Sequence, residues 1–149
     1  MFHVVLMQPE IPPNTGNIGR LCLATGATLD LIEPLGFSLD EPSLKRAGLD
    51  YWKEVSVRKW SNWENYWDSV EEPGRVFFLT TKRGRTYWDI RYQPGDHLVF
   101  GRETRGLPES LLNRFPEQCA TIPMSGTRSL NLATAVAIVL YEAVRQNQI

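Results

Sequence analysis

FHVVLMQPEIPPNTGNIGRLCLATGATLDLI, residues 2–32, decides the architecture. Phe2 to Met7 is a continuous apolar run, the pattern of a strand buried on both faces. Pro9 to Asn14 reads as a loop. Gly16 to Thr25 reads as a helix, with Ile18, Leu21, Cys22 and Thr25 on one face and Gly26 as its stop. Thr28 to Ile32 is a second strand. Strand, helix, strand at this spacing predicts parallel pairing through a crossover.

The rest of the chain repeats the alternation. Asp40 is a candidate cap for a short helix through Ala47, ended by Gly48. Val55 to Arg58 is a third strand. Ser61 and Glu64 have the spacing of a capping box for a helix to about Val70. Val76 to Thr80 and Leu98 to Phe100 are strands, and Pro108 opens a helix at its first turn. Ala120 to Ile122 is a last short strand, and Ser129 to Gln146 the final helix. Thr86 to Pro94 has room for one more short strand. The predicted fold class is an α/β, single-domain parallel sheet over residues 1–149.

Composition narrows the function classes. The 149 residues carry a net charge of −1, so no global basic field announces nucleic acid. The basic residues cluster, however: Lys45 and Arg46; Lys82, Arg83 and Arg85; Arg102 and Arg105. Acidic residues gather around Glu64 to Glu72. No apolar run reaches the ~18 residues of a membrane helix, and Phe2 to Met7 is too short for a signal peptide. Cys22 and Cys119 sit in apolar surroundings with no Cys or His at metal-ligand spacing. They read as core thiols in a reducing cytoplasm, and no metal site is expected. His3 and His97 lie in or beside apolar strands and read as core or strand-edge histidines. The chain holds no G-x-x-x-x-G-K-[ST], no G-x-G-x-x-G and no G-x-S-x-G.

In parallel sheets ligands bind beyond the carboxyl ends of the strands. Pro9 to Arg20, Thr81 to Arg85, Gly101 to Gly106 and Pro123 to Arg128 all fall there. Gly101 and Gly106 bracket Arg102-Glu103-Thr104-Arg105. Such glycines serve either a turn with positive φ or the close approach of a ligand, and the sequence leaves both open. Glu103 and Arg105 are an exposed ion pair or a polar recognition pair. Ser129 is a candidate N-cap for the last helix. That helix is apolar on nearly every face, and one small sheet covers only one side. Val136, Val139, Leu140 and Ala143 are therefore expected to meet their copies across a two-fold axis, giving a homodimer through the C-terminal helix.

Three ordered segments then stand out together: Asn14-Thr15-Gly16-Asn17-Ile18-Gly19-Arg20, Phe100-Gly101-Arg102-Glu103-Thr104-Arg105-Gly106-Leu107-Pro108, and Ile122-Pro123-Met124 through Ser129-Leu130-Asn131. They resemble the three motifs of the SpoU branch of the SPOUT methyltransferases. Glu10-Ile11-Pro12-Pro13 and Arg46-Ala47-Gly48-Leu49-Asp50-Tyr51 narrow the resemblance to the TrmL (YibK) family of tRNA (cytidine/uridine-2′-O)-methyltransferases. It spans essentially the whole chain.

The resemblance implies an S-adenosyl-L-methionine-dependent enzyme with a C-terminal deep trefoil knot. Its implied substrate is the ribose 2′-hydroxyl of the wobble nucleotide, cytidine or modified uridine, in tRNA-Leu-type substrates. By position, Leu79, Thr80, Gly101, Glu103, Ile122, Pro123, Met124, Ser129 and Leu130 are implied to bind the cofactor. Arg20 is implied to be catalytic, near the target ribose. Asn14, Arg20, Lys82, Arg83, Arg105 and Arg128 are the candidates for RNA binding. Arg102 departs from the small residue or proline often found there. No separate RNA-binding domain is evident, so RNA recognition is expected from the dimer surface, with Arg20 of one subunit near the cofactor of the other. Two rival readings are a flavodoxin-like nucleotide-binding module, and a non-catalytic RNA-binding or assembly factor on the same fold. Absence of a phosphate loop weighs against the first. The intact Asn14, Arg20, Glu103 and Asn131 weigh against the second.

Overall fold

The computed structural model describes residues 1–48 and 51–148. Leu49 and Asp50 of the segment Arg46 to Tyr51 lie outside the described residues. Seven parallel strands form one sheet in the order β3-β2-β1-β6-β4-β7-β5. In chain order these are β1 (His3–Met7), β2 (Thr28–Ile32), β3 (Val57–Trp60), β4 (Val76–Leu79), β5 (Arg85–Thr86), β6 (His97–Phe100) and β7 (Cys119–Thr121). The helices are α1 (Pro12–Thr25), α2 (Pro42–Ala47), α3 (Trp63–Ser69), α4 (Glu109–Arg114) and α5 (Leu132–Gln146), with short 3-10 turns between.

The central strands are apolar because both faces are covered. Val4, Leu6, Leu29, Leu98 and Phe100 pack with Ile18 and Cys22 of α1 and Val136, Val139 and Leu140 of α5. Val5, Val76, Phe78 and Val99 pack with Tyr66 of α3 and Leu111 and Leu112 of α4. Gly16 lets α1 and α2 meet backbone to backbone: a Cβ there would lie 2.2 Å from the Leu44 carbonyl oxygen. Both cysteines are buried free thiols. Burial pushes the Cys22 thiol up to about 12, so it packs as a small apolar residue.

Several predicted boundaries move, each for a local reason. α1 begins at Pro12 rather than Gly16, inside the predicted Pro9–Asn14 loop. Its prolines occupy the first turn, where no N–H is needed. α2 begins at Pro42 with Glu41, not Asp40, as cap. α3 is capped by Asn62, whose side chain accepts from the Asn65 N–H, so the Ser61 capping box does not form. β3 runs Val57–Trp60 and β7 Cys119–Thr121. α4 starts after Pro108, which is its cap residue. α5 starts at Leu132 and is capped by Asn131, not Ser129. The room left for an extra strand in Thr86–Pro94 is filled by a 3-10 turn at Tyr87–Asp89, and the extra strand is Arg85–Thr86.

The burial argument for a dimer is corrected here. Val136, Val139, Leu140 and Ala143 are all fully buried within a single chain. The expectation overlooked two covers besides the sheet. α1 packs along α5. The segment 87–92 closes a third side, with Gln146 and Asn147 bonded to the backbone of Ile90 and Tyr92. What α5 leaves outward is a different stripe: Thr134, the half-buried Ala137 and Ile138, and the exposed Tyr141.

The two histidines lie at the amino end of the sheet, opposite the loops of interest. Their rings stack at 4.1 Å and 9°. Asp30, fully buried, receives bonds from Arg58 Nε (2.7 Å) and Trp60 Nε1 (2.9 Å) and lies 3.2 Å from His3 Nδ1. Burial alone would raise the Asp30 carboxyl, but the bonds from His3, Arg58 and Trp60 outweigh it and hold it below its usual range. Potential ligand atoms of His3, Asp30 and His97 lie within 4.8 Å of one another. Stacked rings direct their in-plane lone pairs along parallel planes, so they do not converge on one ion. The cluster reads as a structural network.

His97 generates a pH prediction. Burial, and then the neighbouring His3, push its imidazole down to about 4 from 6.5. Above pH 6.5 it is neutral folded and unfolded and contributes nothing to the pH slope. Between 6.5 and 4 the unfolded chain takes up the proton first, so stability falls with acidification. The urea midpoint should decline across this window, and His97→Gln should flatten the decline. An unaltered slope in the variant would assign the acid sensitivity to other groups.

Candidate active site

The loops after β1, β4, β6 and β7 converge on a cavity of about 730 Å³. β4 contributes Leu79 with Thr80 and Thr81. The loop after β6 contributes Gly101 through Leu107. The segment after β7 contributes Ile122, Met124 and Arg128 to Asn131, and the first turn of α5 contributes Leu132 and Ala135. Ile11 and Asn14 close it from the start of α1.

Two carboxylates tie the loop after β1 to the loop after β6, in opposite directions. Glu103 accepts from the backbone N–H of Glu10 (2.8 Å) and of Ile11 (2.9 Å), and from Asn14 Nδ2 (3.3 Å). Ile11 is the N-cap residue of α1 and supplies no side-chain cap. Glu103 takes that place from 92 residues away in sequence, satisfying N–H groups that the helix start leaves open. In return, Glu10 accepts from the Thr104 N–H (3.0 Å) and hydroxyl (2.8 Å). These bonds, first the backbone one, hold the Glu10 carboxyl below its usual range, with Arg102 and Arg105 adding. Asn131 completes the junction. It caps α5 through the Thr134 N–H and donates from Nδ2 to Asn14 Oδ1 (3.1 Å).

The two bracketing glycines turn out to serve different needs. Gly106 has φ 67°, the turn conformation, and its N–H bonds to the Arg102 carbonyl at 2.8 Å. Gly101 needs space: a Cβ there would stand 2.1 Å from the Gly106 carbonyl carbon and 2.3 Å from the Leu107 nitrogen. The loop folds back onto its own first residue.

The predicted site residues separate accordingly. Leu79, Thr80, Gly101, Glu103, Ile122, Met124, Ser129 and Leu130 line the cavity, and Pro123 does not. Glu103 lines it, but both its oxygens are engaged by the first loop, so its geometry is that of a positioning residue. Asn14 is buried, with its amide spent on Glu103 and Asn131. It also lines the cavity. Lys82, Arg105 and Arg128 rim the cavity. Arg83 lies outside it and pairs with Asn113 (2.7 Å) and Glu109. Arg20 is exposed on α1 and outside the cavity lining. The sequence placed Ile11 and Thr81 in loops at the strand ends without singling them out, and missed Leu132 and Ala135. The last two lie three residues apart on one face of the first turn of α5, a spacing the sequence displays once the helix start is placed.

Residues 1–141 match the profile described as the SpoU rRNA methylase family. A protein of Burkholderia pseudomallei named tRNA (cytidine(34)-2′-O)-methyltransferase is 51% identical, over 98% of this chain and 96% of its own length. A solved structure described as giving "structural insights into the 2-OH methylation of C/U34 on tRNA" superposes with a TM-score of 0.93 at 47% identity, covering 99% of this chain and 96% of its own. An AdoMet-bound rRNA methyltransferase of Sinorhizobium meliloti superposes at 0.87 and 27% identity, covering 99% of this chain and 57% of its own.

The fit at Gly101 generates a test. Even Gly101→Ala forces backbone apart, because the neighbours of the added Cβ are main-chain atoms. It should lower thermal stability by more than the same change at Gly74, where a Cβ meets nothing within 4 Å. Equal melting temperatures for the two variants would mean that the loop yields freely.

Proposed function

The chain belongs to the SpoU rRNA methylase family, and from that premise we propose that it transfers a methyl group from S-adenosylmethionine to the ribose 2′-hydroxyl of nucleotide 34 in tRNA. The observation that supports this best is one cavity walled by all three motif segments at the carboxyl edge of the sheet. Full-length relatives at about half identity carry the matching name. The tRNA-Leu class and the deep trefoil knot rest on the family resemblance. The knot accords with a chain that leaves β7, near one edge of the sheet, and returns to pack α5 on α1. The reading places the protein with tRNA in the cytoplasm, where its free thiols stay reduced.

The cavity fits the cofactor on its own terms. Gly101 lies flush with the loop, and Leu79, Ile122 and Leu130 offer apolar walls with backbone N–H and C=O groups at their edges. The residues that would hold S-adenosylmethionine are Leu79, Thr80, Gly101, Ile122, Met124, Ser129 and Leu130. When bound, it supplies the methyl group on a sulfonium that leaves readily. The chain must then align the 2′-oxygen and assist loss of its proton. Among the described residues no histidine lines the cavity. Arg20 is the group proposed to hold the RNA phosphate and ribose, with a phosphate oxygen as proton acceptor, since a guanidinium stays charged. Lys82, Arg105 and Arg128 on the rim provide phosphate contacts whose strength falls with salt.

Arg20 does not line the cavity of its own chain, and we infer that a second copy brings it to one. It shares the exposed stripe of α1 with Pro13, Asn17 and Ala24, and α1 packs along α5, which leaves Thr134, Ala137, Ile138 and Tyr141 exposed or half-buried. We infer a homodimer on these two stripes, a corrected surface for the same C-terminal helix. A two-fold axis there would carry Arg20 toward the partner's cavity.

The decisive assay is methyl transfer to tRNA, with mass spectrometry locating the product. Arg20→Ala should lose at least 100-fold in turnover, on the order expected for a group acting in the transition state, while S-adenosylhomocysteine binds as before. Near-normal turnover in Arg20→Ala would end this mechanism. Tyr141→Glu puts a charge on the outward stripe without touching the core. It should shift sedimentation toward monomer and reduce activity in step. A wild-type protein that sediments as a fully active monomer would refute the dimer.

A further inference from the structure

A second cavity, of about 460 Å³, opens on the other flank of the loop after β6. Met7, Leu107 and Pro108 give it apolar walls, Arg102, Arg105 and the Lys82–Glu109 ion pair lie along it, and Gln8 stands just past the end of β1. Arg102, Arg105 and Leu107 line this cavity and the cofactor cavity alike. The two spaces are therefore neighbours across one loop.

Gln8 is unusual on two independent grounds. It has φ 55°, the one non-glycine residue with positive φ among the described residues. Glycine adopts that conformation freely and a residue with a Cβ does not. The position nonetheless carries a side chain. Its backbone N–H is satisfied by the Ile32 carbonyl at 2.9 Å. Its carboxamide, half-buried and lining the cavity, has no hydrogen-bond partner among the described residues. Strain held at an unpartnered polar group in a cavity points to a ligand.

We propose that this cavity receives the pyrimidine base of the target nucleotide, and that the Gln8 carboxamide reads the edge of that base. The inference rests on the methyltransferase reading above. A nucleotide whose ribose faces the cofactor cavity must put its base in an adjoining space. The apolar walls suit the ring faces, and Arg102 and Arg105 suit the flanking phosphates. The carboxamide presents one donor and one acceptor side by side. Cytosine offers an acceptor at N3 beside a donor at its exocyclic amine. Uracil offers a donor at N3 beside an acceptor at O4. Turning the carboxamide over by half a rotation exchanges its two groups. One glutamine thus pairs with either pyrimidine, where a carboxylate would only accept and a lysine only donate.

The test uses the full-length protein and anticodon stem-loops bearing cytosine, uracil or pyrimidin-2-one at position 34. Pyrimidin-2-one lacks the exocyclic amine. Gln8→Gly deletes the carboxamide and suits the backbone conformation, so the fold is retained. Wild type should prefer cytosine over pyrimidin-2-one by roughly 10-fold in kcat/KM, the scale of one neutral hydrogen bond. In Gln8→Gly that preference should vanish, activity on cytosine and uracil should fall by roughly 10-fold or more, and S-adenosylhomocysteine affinity should hold. A Gln8→Gly variant as active as wild type, or one that still distinguishes cytosine from pyrimidin-2-one, refutes the proposal. So does a KM raised equally for every base, which would make the cavity a phosphate site. A wild type inactive on every stem-loop instead refutes the methyltransferase reading itself, and this inference with it.

Discussion

The crossed carboxylate pair, Glu103 on the 10–11 backbone and Glu10 on Thr104, is the constraint from which the site is built. Each carboxylate neutralises open backbone N–H groups of the other loop, so neither loop can move alone. The strands that carry them, β1 and β6, are adjacent in the sheet though some 90 residues apart in sequence. Asn14 and Asn131 extend the junction to the start of α5. The cavity wall, the start of α1 and the start of α5 thus share one hydrogen-bonded seam. Charged acceptors on backbone donors are the stronger class of hydrogen bond, which suits a seam that must hold pocket geometry against a large RNA.

The two ends of the sheet divide the work. At the carboxyl edge, Arg105, Arg128 and the Gln8 carboxamide line cavities, while Lys82 pairs with Glu109 at 3.2 Å. At the amino end, the polar groups turn on one another. Asp30, Arg58, Trp60, His3, His97 and Tyr66 are satisfied internally, with Tyr66 and His97 at 2.6 Å. Arg75 and Asp96 do the same nearby. Buried polar groups that pair fully stabilise a unique arrangement, whereas those left open are available to ligands. Both histidines therefore belong to this internal network and line neither cavity.

α5 shows how an apolar helix can mislead. Its composition demands cover on all sides, and the sheet provides only one. The fold finds the rest inside the same chain, from α1 and from the segment 87–92. The stripe that remains is smaller and holds Ile138 and Tyr141. Together with the outward stripe of α1, which bears Arg20, it ties the proposed pairing of subunits to the completeness of each site.

The sequence by itself determined the α/β class, the six main strands, the parallel sheet and the family. Strand runs such as Val4-Val5-Leu6 and the three motif segments are local patterns, and periodicity and spacing reveal them. Most residues that the resemblance marks for the cofactor line one cavity beyond the strand ends. Only the tertiary structure decided which helix caps hold: Asn62 takes the Asn65 N–H and Asn131 the Thr134 N–H, each starting its helix later than the neighbouring serine would. Only it showed that Glu103 holds the 10–11 backbone and Asn14, and that Asn14 in turn holds Asn131. A carboxylate in a motif looks identical whether it meets a cofactor or a backbone 92 residues away. The difference lies in strand order, which brings β6 beside β1 and which no local pattern records.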